Sequence, residues 1–232
     1  MSKVFRVPMP RFAALLLVLL APLSAAHAAA AYVEGQNYVR LAPVQHTSVP
    51  PGKIEVLEVF SYGCPACNTF QPLMARLAHA LPPNAQIALL PAAFNTAEDW
   101  PMLQRAYFTA EVLGIAARTH QAMFDAVWKS GELAISDPVT HRLKSPLPTI
   151  EDAARAYARW TNVKPETFLA AAHSFSIDMK MRAADAQIHD MQVPGTPCLI
   201  VNGTWRVVMD SVATPDELID LVKFLVARAG AH

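Results

Sequence analysis

The passage Ile54-Glu-Val-Leu-Glu-Val-Phe60, followed at once by Ser-Tyr-Gly-Cys64-Pro-Ala-Cys67, constrains this chain more than any other stretch. The first part is apolar except for Glu55 and Glu58 and reads as a buried strand. Of the two acids, Glu55 is expected to point to solvent. A strand that runs into Cys-x-x-Cys at the head of a helix is the layout of a thiol–disulfide redox site. The first sulfur then faces the unpaired N–H groups of the helix start and the positive end of its dipole, which both favour the thiolate. The thiolate is the species that attacks or leaves in disulfide exchange.

What flanks this passage extends the pattern. Residues Tyr32 to Val49 are a lead with few strong signals, and Pro50-Pro51-Gly52 is a turn. After Cys67, Phe70, Leu73, Met74, Leu77, Ala78 and Leu81 recur at helical spacing until Pro82-Pro83-Asn84. Gln86 to Leu90, closing at Pro91, is a second strand, so the unit is β-α-β with parallel strands. From about Thr96 to Gln192 only helical patterns occur: Trp100 to Leu113, Thr119 to Lys129, and a segment opened by the capping box Thr149-Ile-Glu-Asp152. A last one over Pro165 to Ile188 has Phe168, Ala172, Phe175, Met179 and Ala183 in line. Strand signals return with Cys198 to Val201, the hairpin turn Asn202-Gly203 and Trp205 to Met209. Thr214-Pro215-Asp-Glu217 then caps a final helix that turns Leu218, Leu221, Val222 and Leu225 inward.

The chain starts with Lys3, Arg6 and Arg11, an apolar run from Phe12 to Leu20 too short to span a bilayer, and Ala26-His27-Ala28. Residues 1–28 therefore read as a signal peptide cleaved after Ala28, with an uncleaved anchor as the alternative. Cleavage removes three of the 19 basic residues and none of the 19 acidic ones, leaving a net charge of about −3. No basic patch favours a nucleic-acid partner. In an exported compartment a cysteine pair can persist as a disulfide. Three cysteines are too few for a stapled scaffold, so a hydrophobic core must carry stability and the close pair is left for chemistry.

The order β-α-β, helical block, β-β-α resembles a thioredoxin-like α/β fold with an inserted all-helical domain. With Cys64-Pro-Ala-Cys67 early and Gly195-Thr196-Pro197 late in an exported chain, the sequence resembles the DsbA family of periplasmic thiol:disulfide interchange proteins. The resemblance covers essentially the whole mature chain. It divides the chain into a thioredoxin-like domain, residues 29–95 and 193–232, and an inserted helical domain, residues 96–192. It also implies a cis bond at Thr196-Pro197, whose exposed backbone would pair with a client strand, and an acid at Glu58 that relays protons. From the pattern alone, Glu58 could equally be a strand-edge acid facing solvent.

Cys64 is the expected nucleophile and Cys67 its buried resolving partner; Pro65 and Ala66 between them tune the thiolate and border the client site. Ala66 departs from the family, which often carries a histidine there, so Cys64 should be acidic but less so than in a histidine-bearing relative. A zinc site would need further close Cys or His ligands that the spacing does not offer. Cys198 reads either as a third redox thiol or as a small buried apolar residue, and strand alternation favours the latter. Tyr62, Phe94, Trp100, Met102, Met181 and Met191 could line a client groove or fill the core.

The expected activity is a periplasmic thiol:disulfide oxidoreductase that needs no cofactor. It donates its disulfide to reduced, unfolded exported proteins, is reoxidised by a DsbB-like membrane quinone reductase, and works as a monomer. The rival readings are an isomerase or reductase of the DsbC or DsbG type, for which the lead before Val49 is too short to form a dimerisation domain, and a non-catalytic peptide-binding chaperone.

Overall fold

A computed structural model describes residues 1–2, 32–137 and 139–231. The expected signal peptide lies outside the described residues, apart from Met1 and Ser2. Five strands form one mixed sheet in the order β1-β5-β4-β2-β3. They are β1 (Tyr38–Arg40), β2 (Ile54–Phe60), β3 (Ala85–Pro91), β4 (Cys198–Val201) and β5 (Trp205–Val207). β2 lies beside β3 in parallel and beside β4 antiparallel. β1, which the weak signals of the lead do not reveal, closes the sheet against β5.

All seven residues of β2 are buried, which explains a strand of nearly continuous apolar character. One of its faces, with Ile54 and Val56, joins Leu199 and Val201 of β4. It packs against Met74 and Leu77 of α1 (Pro65–Ala80) and Leu221, Val222 and Leu225 of α7 (Pro215–Ala229). The other face carries Leu57, Val59, Cys198 and Ile200 into a core shared with the inserted helices. Glu55 corrects the sequence reading. It is buried, and its carboxylate accepts from the Ser48 N–H at 2.6 Å and the Ser48 hydroxyl at 2.7 Å, fastening the lead segment to the sheet.

The insertion comprises α2 (Trp100–Val112), α3 (Ala116–Trp128), α4 (Ile150–Trp160), α5 (Pro165–Ala172) and α6 (Phe175–Asp190). The expected capping box opens α4, with Thr149 and Asp152 exchanging side chain-to-backbone bonds. The single helix expected over Pro165 to Ile188 is two: Ser174 is extended (φ −75°, ψ 147°) and separates α5 from α6. The break changes the buried face. Phe168 and Ala172 enter the core, but α6 then buries Ile177, Ala184 and Ile188, leaving Phe175 and Met179 exposed. The expected β4–β5 hairpin is present, with Asn202 (φ 51°) and Gly203 (φ 60°) both left-handed, but Val201 pairs with Trp205, so Thr204 joins the two expected residues in the connection.

Candidate functional site

Cys64 is the N-cap of α1. Its backbone is extended (φ −86°, ψ 117°), and its sulfur accepts from the Cys67 N–H at 3.3 Å. Pro65 fills the first turn, where a missing N–H leaves no helical bond unmade. Both sulfurs are free thiols; Cys67 is fully buried, and Pro65 and Ala66 are exposed beside Cys64. The Thr196–Pro197 peptide bond is cis, and the Cys64 thiol donates to the Thr196 carbonyl at 3.3 Å. The fold thus brings the helix start and the late Thr-Pro loop, 132 residues apart in sequence, to one sulfur.

Electrostatics separate the two thiols. Hydrogen bonding from the Cys67 side chain, the Thr196 side chain and the N–H groups of Cys67 and Ala66 outweighs partial burial and lowers the Cys64 pKa to about 6. The Cys67 thiol is pushed far up, first because it donates to the Cys64 sulfur and then by burial. Below the pair, Glu58 is completely buried on β2. Desolvation and the nearby Cys64 charge raise its pKa to about 8, opposed by a hydrogen bond from Gln71. One carboxylate oxygen takes the Gln71 amide at 3.5 Å and the other has no hydrogen-bond partner among the described residues. Its raised pKa favours the protonated carboxyl at neutral pH, next to two thiols of opposite character.

The sequence reading does not single out Gln71. Its amide also donates to the Cys67 carbonyl at 3.4 Å, bridging the second cysteine and the buried acid. Its position one turn after Cys67, on the same helix face, is the signal that points to it. Gly63 is fixed by sterics: a Cβ there would stand 2.5 Å from the Trp100 indole nitrogen. Tyr62 links the site to the insertion, its hydroxyl 3.0 Å from His120 Nδ1 and its carbonyl accepting from the Trp128 indole at 2.8 Å. Burial lowers the His120 pKa to about 4, so this imidazole is neutral at physiological pH.

Of the side chains expected in a groove or core, Tyr62, Trp100, Met102 and Met191 are buried core, while Phe94 is exposed. Cys198 is buried opposite Val59 in the β2–β4 register, and burial raises its pKa to about 11. A thiol so placed is a small apolar residue rather than a nucleophile.

A family model described as DSBA-like thioredoxin domain matches residues 55–220. The thiol:disulfide interchange protein DsbA of Pseudomonas aeruginosa strain PAO1 is 32% identical over 200 residues, spanning 86% of this chain and 87% of that protein. The protein of the same name from Azotobacter vinelandii is 31% identical over 194 residues, 84% of this chain and 83% of its own. Among solved structures, oxidoreductase DsbA from Xylella fastidiosa superposes with a TM-score of 0.73 at 30% identity, covering 87% of this chain and 99% of that one. Pseudomonas aeruginosa DsbA gives 0.71 at 32% identity, covering 86% and 95%.

Proposed function

The chain belongs to the DSBA-like thioredoxin domain family and is a thiol:disulfide oxidoreductase, and from that premise we propose that it is a periplasmic oxidase of folding proteins whose reagent is the Cys64–Cys67 disulfide. A client thiolate attacks the Cys64 sulfur. The Cys64–Cys67 bond breaks, a client–Cys64 mixed disulfide forms, and Cys67 leaves with the electron pair. Glu58, protonated near neutral pH, gives Cys67 its proton, which suits a thiol whose pKa is strongly raised. A second client thiolate then attacks the client sulfur of the mixed disulfide. A client disulfide forms, and Cys64 departs as the stabilised thiolate. The client is oxidised by two electrons and the cysteine pair is reduced by two.

The observation that carries this reading is the asymmetry of the pair: an acidic Cys64 at a helix start and a fully buried, reluctant Cys67. A low-pKa sulfur is the better leaving group, so transfer of the disulfide outward is favoured. Thr196 and Pro197 form the client-binding loop directly ahead of β4, where an extended client segment would meet the site. Pro65 and Ala66 are the exposed residues the client passes. The basic and apolar leader in residues 1–28 supports export to the periplasm. Kinship with DsbA proteins supports reoxidation by a membrane quinone reductase of the DsbB type. The thioredoxin-like part is residues 29–95 and 193–232, and the helical insertion is residues 96–192.

Oxidative refolding of a reduced, unfolded protein, run beside insulin reduction, tests the proposal. The oxidised wild type should accelerate net disulfide formation, and Cys64→Ser should abolish it. Faster insulin reduction without net oxidation would indicate a reductase, and activity indifferent to Cys64 a mere binder; either refutes the oxidase.

A further inference from the structure

A cleft of about 580 Å³ opens between the loop after β3 and the end of α6. Phe94, Ile188 and Val193 give it an apolar wall, and Asp185, His189 and Gln192 a polar one. Phe94 is 48% exposed, a large aromatic left in water. Asp185 is fixed in place: the buried Gln104 amide donates to it at 2.9 Å and to the Pro91 carbonyl at 3.0 Å. The partner that holds Asp185 is therefore a neutral amide, not a cation, and among the described residues no lysine or arginine lines the cleft. An apolar wall beside Asp185, whose partner is a neutral amide, suits a large apolar side chain accompanied by a cation.

Both walls are tied to the redox site. Val193 is three residues before Thr196, whose carbonyl receives the Cys64 thiol. The Ala92 N–H donates to the Phe60 carbonyl at 2.7 Å, two residues before Phe94 and four before Cys64. A client joined to Cys64 runs away from it at about 3.3 Å per residue of extended chain, about 10 Å over three residues.

We propose that this cleft is a second contact for the client, taking an aromatic side chain with an adjacent lysine or arginine about three residues from the cysteine that attacks Cys64. The inference rests on the oxidase reading and deepens it. Phe94 supplies the apolar anchor, and Asp185 the charge that selects basic over acidic neighbours. Proteins oxidised fastest are then those that present a basic-aromatic pair near a cysteine while unfolded.

The test uses oxidised full-length protein and two reduced two-cysteine peptides that differ only in carrying Phe-Lys or Ala-Glu at that spacing. Stopped-flow oxidation is compared among wild type, Phe94→Ala and Asp185→Asn, the last keeping an acceptor for Gln104. Dithiothreitol, too small to reach the cleft, is the control substrate. Wild type should prefer the Phe-Lys peptide by about fivefold in the second-order rate constant of this single turnover, the preference shrinking as salt is raised. Phe94→Ala should lower the rate for that peptide, Asp185→Asn should remove the salt dependence, and all three proteins should oxidise dithiothreitol alike. Equal rates for both peptides with wild type, or an unchanged preference in both variants, would overturn the cleft assignment while dithiothreitol oxidation continues. Failure of wild type to oxidise dithiothreitol would overturn the oxidase reading itself.

Discussion

None of the groups that favour the Cys64 thiolate carries a formal charge: they are the Cys67 thiol, the Thr196 side chain and two backbone N–H groups. Hydrogen bonding and the helix start thus account for a pKa near 6, and Ala66 contributes only its N–H. Following thiolate absorbance at about 240 nm in the reduced protein should give a midpoint near that value. Ala66→His, which adds a polar, protonatable ring at an exposed position, should lower the midpoint by about one unit. A midpoint at the ordinary thiol value would contradict this account of the sulfur. Glu58 acts in the opposite direction. Its folded pKa is raised from 4.5 to about 8, so the folded state binds the extra proton across that window and this group's stabilising contribution is lost as pH rises through it. The Cys64 contribution, from a lowered pKa, is present above the unfolded thiol value and lost as pH falls through about 6. Between about pH 6 and pH 8 the two slopes oppose each other. Denaturant titration of reduced Glu58→Gln should show its advantage over wild type growing by on the order of 3 kcal/mol from about pH 5 to about pH 8. A pH-independent difference would mean that Glu58 ionises normally.

The β4–β5 turn shows how an element depends on a single glycine. Gly203 has φ 60°, and a Cβ on it would lie 2.1 Å from the Gln45 carbonyl oxygen, which belongs to the lead segment. Gly203→Ala must strain the hairpin and push that segment away, and should cost about 2 kcal/mol or more in thermal or chemical unfolding. The hairpin itself is legible in the sequence because Asn-Gly between apolar runs is a local signal. So are the redox strand, the Cys-x-x-Cys helix start and the Thr149 capping box, each set within a few residues. The break between α5 and α6 is not legible, since Phe168, Ala172, Phe175 and Met179 keep helical spacing straight through Ser174. Tertiary packing decides it: Phe168 and Ala172 are fully buried, and so is Ile177 beyond the turn. Burial of Glu55 is equally hidden, because its partner Ser48 is supplied by the fold and not by strand alternation. At the site, Cys64, Cys67 and Pro197 are legible as residues, whereas Gln71 and the Gly63–Trp100 contact emerge only when helix, strand and insertion meet.

At the scale of the molecule, the insertion serves as the floor of the redox site. Phe60 and Tyr62 pack edge-on to each other at 5.1 Å, Tyr62 meets Phe124 of α3 at 5.0 Å, and Trp128 donates to the Tyr62 carbonyl. These contacts fix the segment between β2 and Cys64 from the insertion. Trp128→Phe keeps most of the ring but removes the donor, leaving a buried carbonyl without its partner. It should lower global stability by about 1–2 kcal/mol while leaving the Cys64 midpoint within half a unit or so. A large shift of that midpoint would show that the insertion tunes the thiolate as well as supporting it. Every level then bears on one quantity, the preference of the Cys64–Cys67 pair for the dithiol. An acidic Cys64 stabilises the reduced form, and a protein whose reduced form is favoured is an oxidant. Equilibrating the pair with defined ratios of reduced to oxidised glutathione measures that preference directly. The account predicts a strongly oxidising pair, reduced at glutathione ratios that leave ordinary structural disulfides intact. A pair as reducing as that of a thioredoxin would contradict it.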